Sequence, residues 1–200
     1  MLPASLLQFA IVQVSFAFSP GLIITLIVRT TLTQGKKMGL KVVSGAALGC
    51  LLITLTSAYI ISFIVEKAPV ILEYITYIGS IYIIYKAISI IKNSSSNIDI
   101  ENTNKPFWEG FKVNSLNPKM LLLFLTVLPL FLNLGDNIFL EMIYLGLATT
   151  AINLFADLSW CLATSLLKEN VTISNKLVDR VAGLILLLLG FGILINQIVG

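Results

Sequence analysis

Long apolar runs dominate the chain and alternate with short polar segments. Each run is long enough to cross about 30 Å of hydrocarbon as a helix. The six runs, numbered here as spans 1 to 6, cover residues 5–28, 42–65, 69–91, 113–134, 138–166 and 178–199. Nothing basic precedes Leu6, and the first run exceeds the apolar core of a signal peptide, so we expect it to be retained. The pattern predicts an all-α integral membrane protein with six transmembrane helices.

Composition supports a protein that lies in the lipid bilayer. The chain has 200 residues, of which 57% are hydrophobic and only 12% are charged, and its mean hydropathy is +0.96. So few charges could not cover the surface of a soluble domain of this length. The net charge of +3 needs no nucleic-acid partner, because membrane proteins accumulate Lys and Arg in their cytoplasmic loops. We therefore expect no binding to DNA or RNA.

The distribution of Lys and Arg predicts the orientation of the spans. Eleven of these residues lie in or beside the connections after spans 1, 3 and 5, against Lys67 alone on the opposite side. The eleven are Arg29, Lys36, Lys37, Lys41, Lys86, Lys92, Lys105, Lys112, Lys168, Lys176 and Arg180. Cytoplasmic loops carry the excess of basic residues. Both termini are therefore predicted to be extracytoplasmic.

One long connection divides the chain into two parts of similar length. Residues 92–112 carry a run of Asn and Ser followed by mixed charges, which is typical of a flexible linker. Three spans precede it, in residues 1–91, and three follow it, in residues 113–200. An odd number of spans in each half gives the halves opposite orientations, as in transporters built from inverted repeats. We predict two inverted three-helix repeats joined by a cytoplasmic linker.

Proline interrupts the first helix of each half. Ser19, Pro20 and Gly21 break span 1 about 14 Å before Arg29, and Asn117, Pro118 and Lys119 open span 4. A proline removes a backbone donor, and the freed groups need a partner inside the membrane. Paired breaks of this kind point to the substrate site of a transporter, although a kink that serves only packing is the alternative.

Lys119 has two interpretations. Its ammonium could pair with a substrate carboxylate near the break, or it could extend to the cytoplasmic headgroups. Since Lys119 follows Lys112 by only seven residues, the headgroup interpretation is the simpler one.

Span 5 carries an acidic residue deep within the membrane. Asp157 lies about 14 Å from the cytoplasmic end of the span, where an ionised carboxylate without a partner is costly. It shares one helical face with other polar residues, namely Thr149, Asn153, Trp160 and Thr164. We expect this stripe to face the bundle interior. Burial favours the protonated carboxyl, so Asp157 could exchange a proton during transport. Alternatively, it could be a structural carboxylate that pairs with Lys119 or accepts hydrogen bonds from threonines.

Small residues in span 2 favour close helix packing. Gly45 and Gly49 have the four-residue spacing that lets two helices approach each other. Such faces serve contacts within one chain and between copies, so a homo-oligomer is compatible with this pattern but is not required by it.

The chain lacks the sequence signatures of several protein classes. It contains no nucleotide-binding loop, no dinucleotide-binding fingerprint and no histidine, and an enzyme or a nucleotide-driven pump would need such groups. Cys50 and Cys161 lie in separate apolar runs, which favours neither a disulfide nor a metal site. We expect no cofactor and no bound metal. Of the function classes considered, secondary transport of a small polar solute is the one that remains.

The residues at the two breaks resemble those of a known family. The residues concerned are Ser19-Pro20-Gly21, Asn117-Pro118-Lys119, the apolar stretch to Leu128-Pro129, and Asp157 followed by Trp160. Together they are similar to the corresponding residues of the LysE/RhtB family of bacterial amino-acid exporters. The likeness extends over essentially the whole chain. Leu22 stands where that family commonly has a second proline, which bears on the substrate more than on the fold.

The resemblance implies an exporter of amino acids or close derivatives in the bacterial cytoplasmic membrane, driven by the proton gradient. It also implies that Pro20, Gly21, Asn117, Pro118, Lys119 and Asp157 are functional. With Ser19 and Asn153, these residues form the predicted site, in which Asp157 couples transport to protons. The alternatives are an exporter of metal or other ions with a similar fold, and a membrane subunit without transport activity.

Overall fold

The computed structural model describes residues 3–19, 21–68, 104–132 and 137–166, with isolated positions between 70 and 88 and between 184 and 195. These residues form helices and short connections, with no strand among them. The prediction of an all-α protein is confirmed for this part of the chain. Apart from those isolated positions, spans 3 and 6 lie outside the described residues, as do most of the predicted linker and Pro20.

Three helices make up the described first half. They are α1 (Pro3–Phe18), α2 (Leu22–Gln34) and α3 (Lys36–Lys67). Span 1 is thus broken where the sequence predicts a break, and α1 and α2 are bent by 48°. Gly35 alone separates α2 from α3, with a φ of 89°, a left-handed conformation that glycine adopts without steric cost.

The second half begins with two short helices. They are α4 (Pro106–Ser115) and α5 (Pro118–Leu122), and a π-helical turn (Leu123–Val127) and a 3-10 turn (Leu128–Phe131) follow α5. The segments on either side of Leu116 and Asn117 are bent by 42°. Helix α4 therefore begins at Pro106, seven residues before the predicted start of span 4, and the Asn-Pro-Lys break lies within the bent pair.

The chemistry of proline explains the position of this second break. A proline disfavours the helical conformation at the residue before it, and Asn117 has the extended φ and ψ values of −70° and 114°. Glu109 and Lys112 lower the hydropathy of α4, so the apolar run in the sequence starts only at residue 113, within this helix.

The last described helix, α6 (Ile138–Leu166), has the same bounds as the predicted span 5. Helices α3 and α6 are each long and apolar enough to cross a membrane. If each bent pair is one span, the described residues hold up to four spans.

Helices α3 and α4 pack at close range through glycines. A Cβ atom at Gly45 would collide with the carbonyl oxygen of Phe107, and one at Gly110 with that of Val42. A Cβ at Gly49 would lie 2.8 Å from the carbonyl oxygen of Phe111. The predicted packing role of Gly45 and Gly49 is confirmed.

Two apolar clusters hold the helices together. The larger surrounds Phe124 and joins residues of α1, α3 and α6 to those that follow the second break. The smaller contains Leu26 and Ile27 of α2 with Val42, Val43 and Cys161. Residues beside the two breaks contribute to both clusters: Phe16 and Met120 belong to the larger one, and Ile23 and Val113 pack against the smaller one.

Candidate functional site

The two helix breaks line one shared cavity of about 30 Å³. Its lining comprises Phe16, Ala17, Ser19, Gly21, Ile23, Ile24, Asn114, Asn117, Lys119, Met120, Asn153 and Asp157. Six of the eight residues of the predicted site are thus brought together. Pro118 is not part of this lining and is exposed, and Pro20 lies outside the described residues.

The break in span 1 places the N-terminal end of α2 at the cavity. Gly21 is extended and precedes α2 without a side-chain cap, and its carbonyl oxygen accepts from the N–H of Thr25 at 2.9 Å. The N–H groups of the first residues of a helix lack intrahelical partners and carry partial positive charge. Ile23 and Ile24 in this first turn line the cavity. This end of the cavity therefore suits an anionic group.

Ser19 adds a polar side chain at the same break. It is fully buried, and its Oγ has no hydrogen-bond partner among the described residues. A buried hydroxyl without a partner is costly. Ser19 is therefore available to bind a ligand.

Two asparagines stabilise the break between α4 and α5. Asn117 Oδ1 accepts from the backbone N–H of Lys119 at 3.0 Å, which is an N-cap of α5. Asn114 Nδ2 donates to the carbonyl oxygen of Ala46 at 2.7 Å and thereby ties α4 to α3. Asn114 also lines the cavity, although the predicted site omits it.

Lys119 links the second break to the first. Its Nζ donates to the carbonyl oxygens of Phe16 at 2.6 Å and Ser19 at 2.9 Å, and lies 5.9 Å from the ring centroid of Phe16. The interpretation that Lys119 extends to the headgroups is therefore wrong. The ammonium instead satisfies carbonyls at the negative end of α1, where a cation is favourable.

The polar stripe of α6 faces the bundle interior, as predicted. Thr149, Asp157 and Thr164 are all buried, and Asp157 is only 6% exposed. Within the described part of the chain, no hydrogen bond or ion pair is formed by the Asp157 carboxylate. Because Asp157 and Lys119 line the same cavity, their opposite charges offset part of the cost of burying each.

A buried glutamine in α1 also contributes to the site. Gln13 Nε2 donates to Asn153 Oδ1 at 3.1 Å, so it supports a residue of the cavity wall. Gln13 is not among the residues of the predicted site. An isolated amide six residues before Ser19, within an apolar run, is the signal that could have identified it.

The described residues do not assemble a metal site. No group of three or more His, Cys, Asp or Glu side chains converges among them. Cys50 and Cys161 are both buried free thiols.

Comparison with known proteins agrees with a membrane transporter. The chain is 27% identical to the uncharacterized membrane protein YrhP of Bacillus subtilis over 205 aligned positions, covering 94% of this chain and 97% of that protein. It is 24% identical to cysteine/O-acetylserine efflux proteins of Salmonella paratyphi A and Salmonella typhi over 169 positions, covering 84% of this chain and 87% of each relative. No solved structure matches the chain. The family model described as LysE type translocator matches residues 14–197, so the chain belongs to this family of multi-pass membrane transporters.

Proposed function

We propose that this protein is a secondary transporter that exports an amino acid or a close derivative across the bacterial cytoplasmic membrane, driven by the proton gradient. The convergence of two broken helices on one cavity, with a buried carboxylate in its wall, carries this proposal. The names of the Salmonella relatives, which are efflux proteins for cysteine and O-acetylserine, point to the same class of substrate.

The cavity offers partners for both charged groups of an amino acid. The substrate carboxylate would lie against the first N–H groups of α2, where the helix end is positive, and Ser19 would donate a further hydrogen bond. The substrate ammonium would pair with the Asp157 carboxylate.

Lys119 supports this site through the backbone of α1. Its ammonium holds the carbonyls of Phe16 and Ser19, which keeps the break open, and its positive charge favours the substrate carboxylate. In this proposal Lys119 shapes the site and contributes charge to it.

Proton coupling would arise from competition at Asp157. The ionised carboxylate binds the substrate ammonium on the cytoplasmic side. When the cavity opens outward, a proton from outside neutralises Asp157 and removes the ion pair, so the substrate leaves. Release of that proton to the cytoplasm restores the carboxylate for the next cycle. One proton enters the cell for each such exchange at Asp157.

Efflux of radiolabelled amino acids from cells that express the chain tests the proposal. We expect faster loss of one chemical class of amino acid than from cells carrying an empty vector, and we expect an uncoupler to abolish the difference. A protein that is present in the membrane but exports no amino acid would contradict the proposal. Protection against a metal salt without any effect on amino acids would favour an ion exporter instead.

A further inference from the structure

Two side-chain amides from distant parts of the chain meet beside the cavity. Gln13 of α1 is 0% exposed, and its Nε2 lies 3.1 Å from Oδ1 of Asn153 in α6. Asn153 lines the cavity, whereas Gln13 lies behind it. A buried polar pair of this kind constrains side-chain orientation, because a lost hydrogen bond would leave both amides unsatisfied.

The contact determines which polar group Asn153 has left for a ligand. Its oxygen is occupied by Gln13, and its Nδ2 lies near two sulfur atoms, Cys50 Sγ and Met120 Sδ, each at 3.8 Å. Thioethers and thiols are weak acceptors, and Cys50 Sγ already receives a hydrogen bond from Thr150 at 3.2 Å. Since Met120 lines the cavity with Asn153, the amide N–H of Asn153 is a donor that a substrate can reach.

We infer that Gln13 is a specificity-determining positioning residue, which holds Asn153 so that its amide N–H selects substrates with a hydrogen-bond acceptor in the side chain. The inference rests on the proposed export of amino acids and names a preference within that class. A substrate with an ether, ester or hydroxyl oxygen would bind the Asn153 donor, and an apolar substrate of the same shape would leave that donor with only its weak sulfur contacts.

Export of O-methylserine and norvaline tests this inference, because the two amino acids have nearly the same shape and differ by an ether oxygen in place of a methylene. We expect the unmodified protein to export O-methylserine about tenfold faster at low concentration, which is the effect of one neutral hydrogen bond. In Gln13→Met the side chain keeps its size but loses the amide. The ratio of O-methylserine export to norvaline export should fall toward one, because only the ether oxygen uses the Asn153 donor.

Gln8→Met is the matched control, since Gln8 is an exposed residue of the same helix, and it should preserve the ratio. If Gln13→Met does not reach the membrane, Gln13→Asn provides the same comparison, because its amide is one methylene too short to reach Asn153. An unchanged export ratio in a Gln13 variant, or an equal loss of export of both substrates, would overturn this inference but not the proposed function. Export of no amino acid by the unmodified protein would overturn the proposed function as well.

Discussion

At the scale of single residues, Lys119 and Asp157 show how this chain uses charge in an apolar environment. The Lys119 ammonium lies against the carbonyl oxygens of Phe16 and Ser19 at the end of α1. The Asp157 carboxylate lines the same cavity as this ammonium, which has the opposite charge. Its position in the sequence is enough to identify Asp157 as a buried carboxylate, because burial depends mainly on depth in the membrane. It does not identify the partners of Lys119, because a long flexible side chain can reach in several directions.

Asp157→Asn should abolish proton-driven export and leave the protein folded. The amide keeps the shape of the carboxyl group but can neither bind a proton nor pair with an ammonium. Efflux measured with and without an uncoupler should show no uncoupler-sensitive component in the variant. Glu66→Gln is the control, because it removes an exposed carboxylate at the end of α3. Unchanged export by Asp157→Asn would remove Asp157 from the coupling mechanism.

Lys119→Met should lower the stability of the protein by about 3 kcal/mol, since it deletes hydrogen bonds from a charged donor to two carbonyls. Thermal unfolding of the detergent-solubilised protein would measure the loss as a lower Tm. Lys112→Met is the matched control, because Lys112 is 65% exposed in its side chain and lies 3.9 Å from Glu109, and an exposed pair contributes little. Equal Tm values for the two variants would contradict the role of Lys119 at the end of α1.

At the scale of helices, the breaks and the glycine contacts together determine the shape of the site. Proline and its neighbours interrupt the two bent segments, and glycines on α3 and α4 let the backbones approach each other. The sequence predicts both breaks, because the effect of proline on the backbone is local. The apolar pattern starts at residue 113, later than the helix itself. Glu109 and Lys112 lower the hydropathy of α4, although the glycine face of this helix is buried against α3.

Gly45→Ala should destabilise the protein by about 1–3 kcal/mol, the usual cost of forcing an extra methyl group into a packed contact. The added Cβ would collide with the backbone of Phe107, so α3 and α4 would have to separate. The matched substitution Gly21→Ala should leave Tm nearly unchanged, because nothing lies within 4 Å of its Cβ position and its extended φ suits any residue. A stable Gly45→Ala protein would contradict the close packing of the two helices.

At the scale of the whole molecule, orientation in the membrane decides which way the cavity must open. The excess of Lys and Arg in alternate connections predicts that the Gly35 end of α3 faces the cytoplasm and that both termini lie outside. The inverted arrangement of the two halves is a consequence of the same predicted topology.

Cysteine labelling at the end of α3 and near the turn between α2 and α3 tests this orientation. A membrane-impermeant maleimide should label Glu66→Cys in intact cells, because that end is predicted to lie outside. Thr33→Cys, in the last turn of α2, should be labelled only after permeabilisation, and it leaves every basic residue in place. The native Cys50 and Cys161 are buried, so they add little background. The reverse pattern of labelling would contradict the predicted topology.

The sequence by itself determined the membrane class, the bounds of α6, the two breaks and the polar face that carries Asp157. These features depend on local chemistry: the length of an apolar run, the missing N–H of proline and the periodicity of a helix. Only the tertiary structure decided which remote groups meet, such as Lys119 with a carbonyl 100 residues away and Gln13 with an amide 140 residues away. Those contacts depend on how the helices pack against one another, which the pattern of a single sequence does not specify.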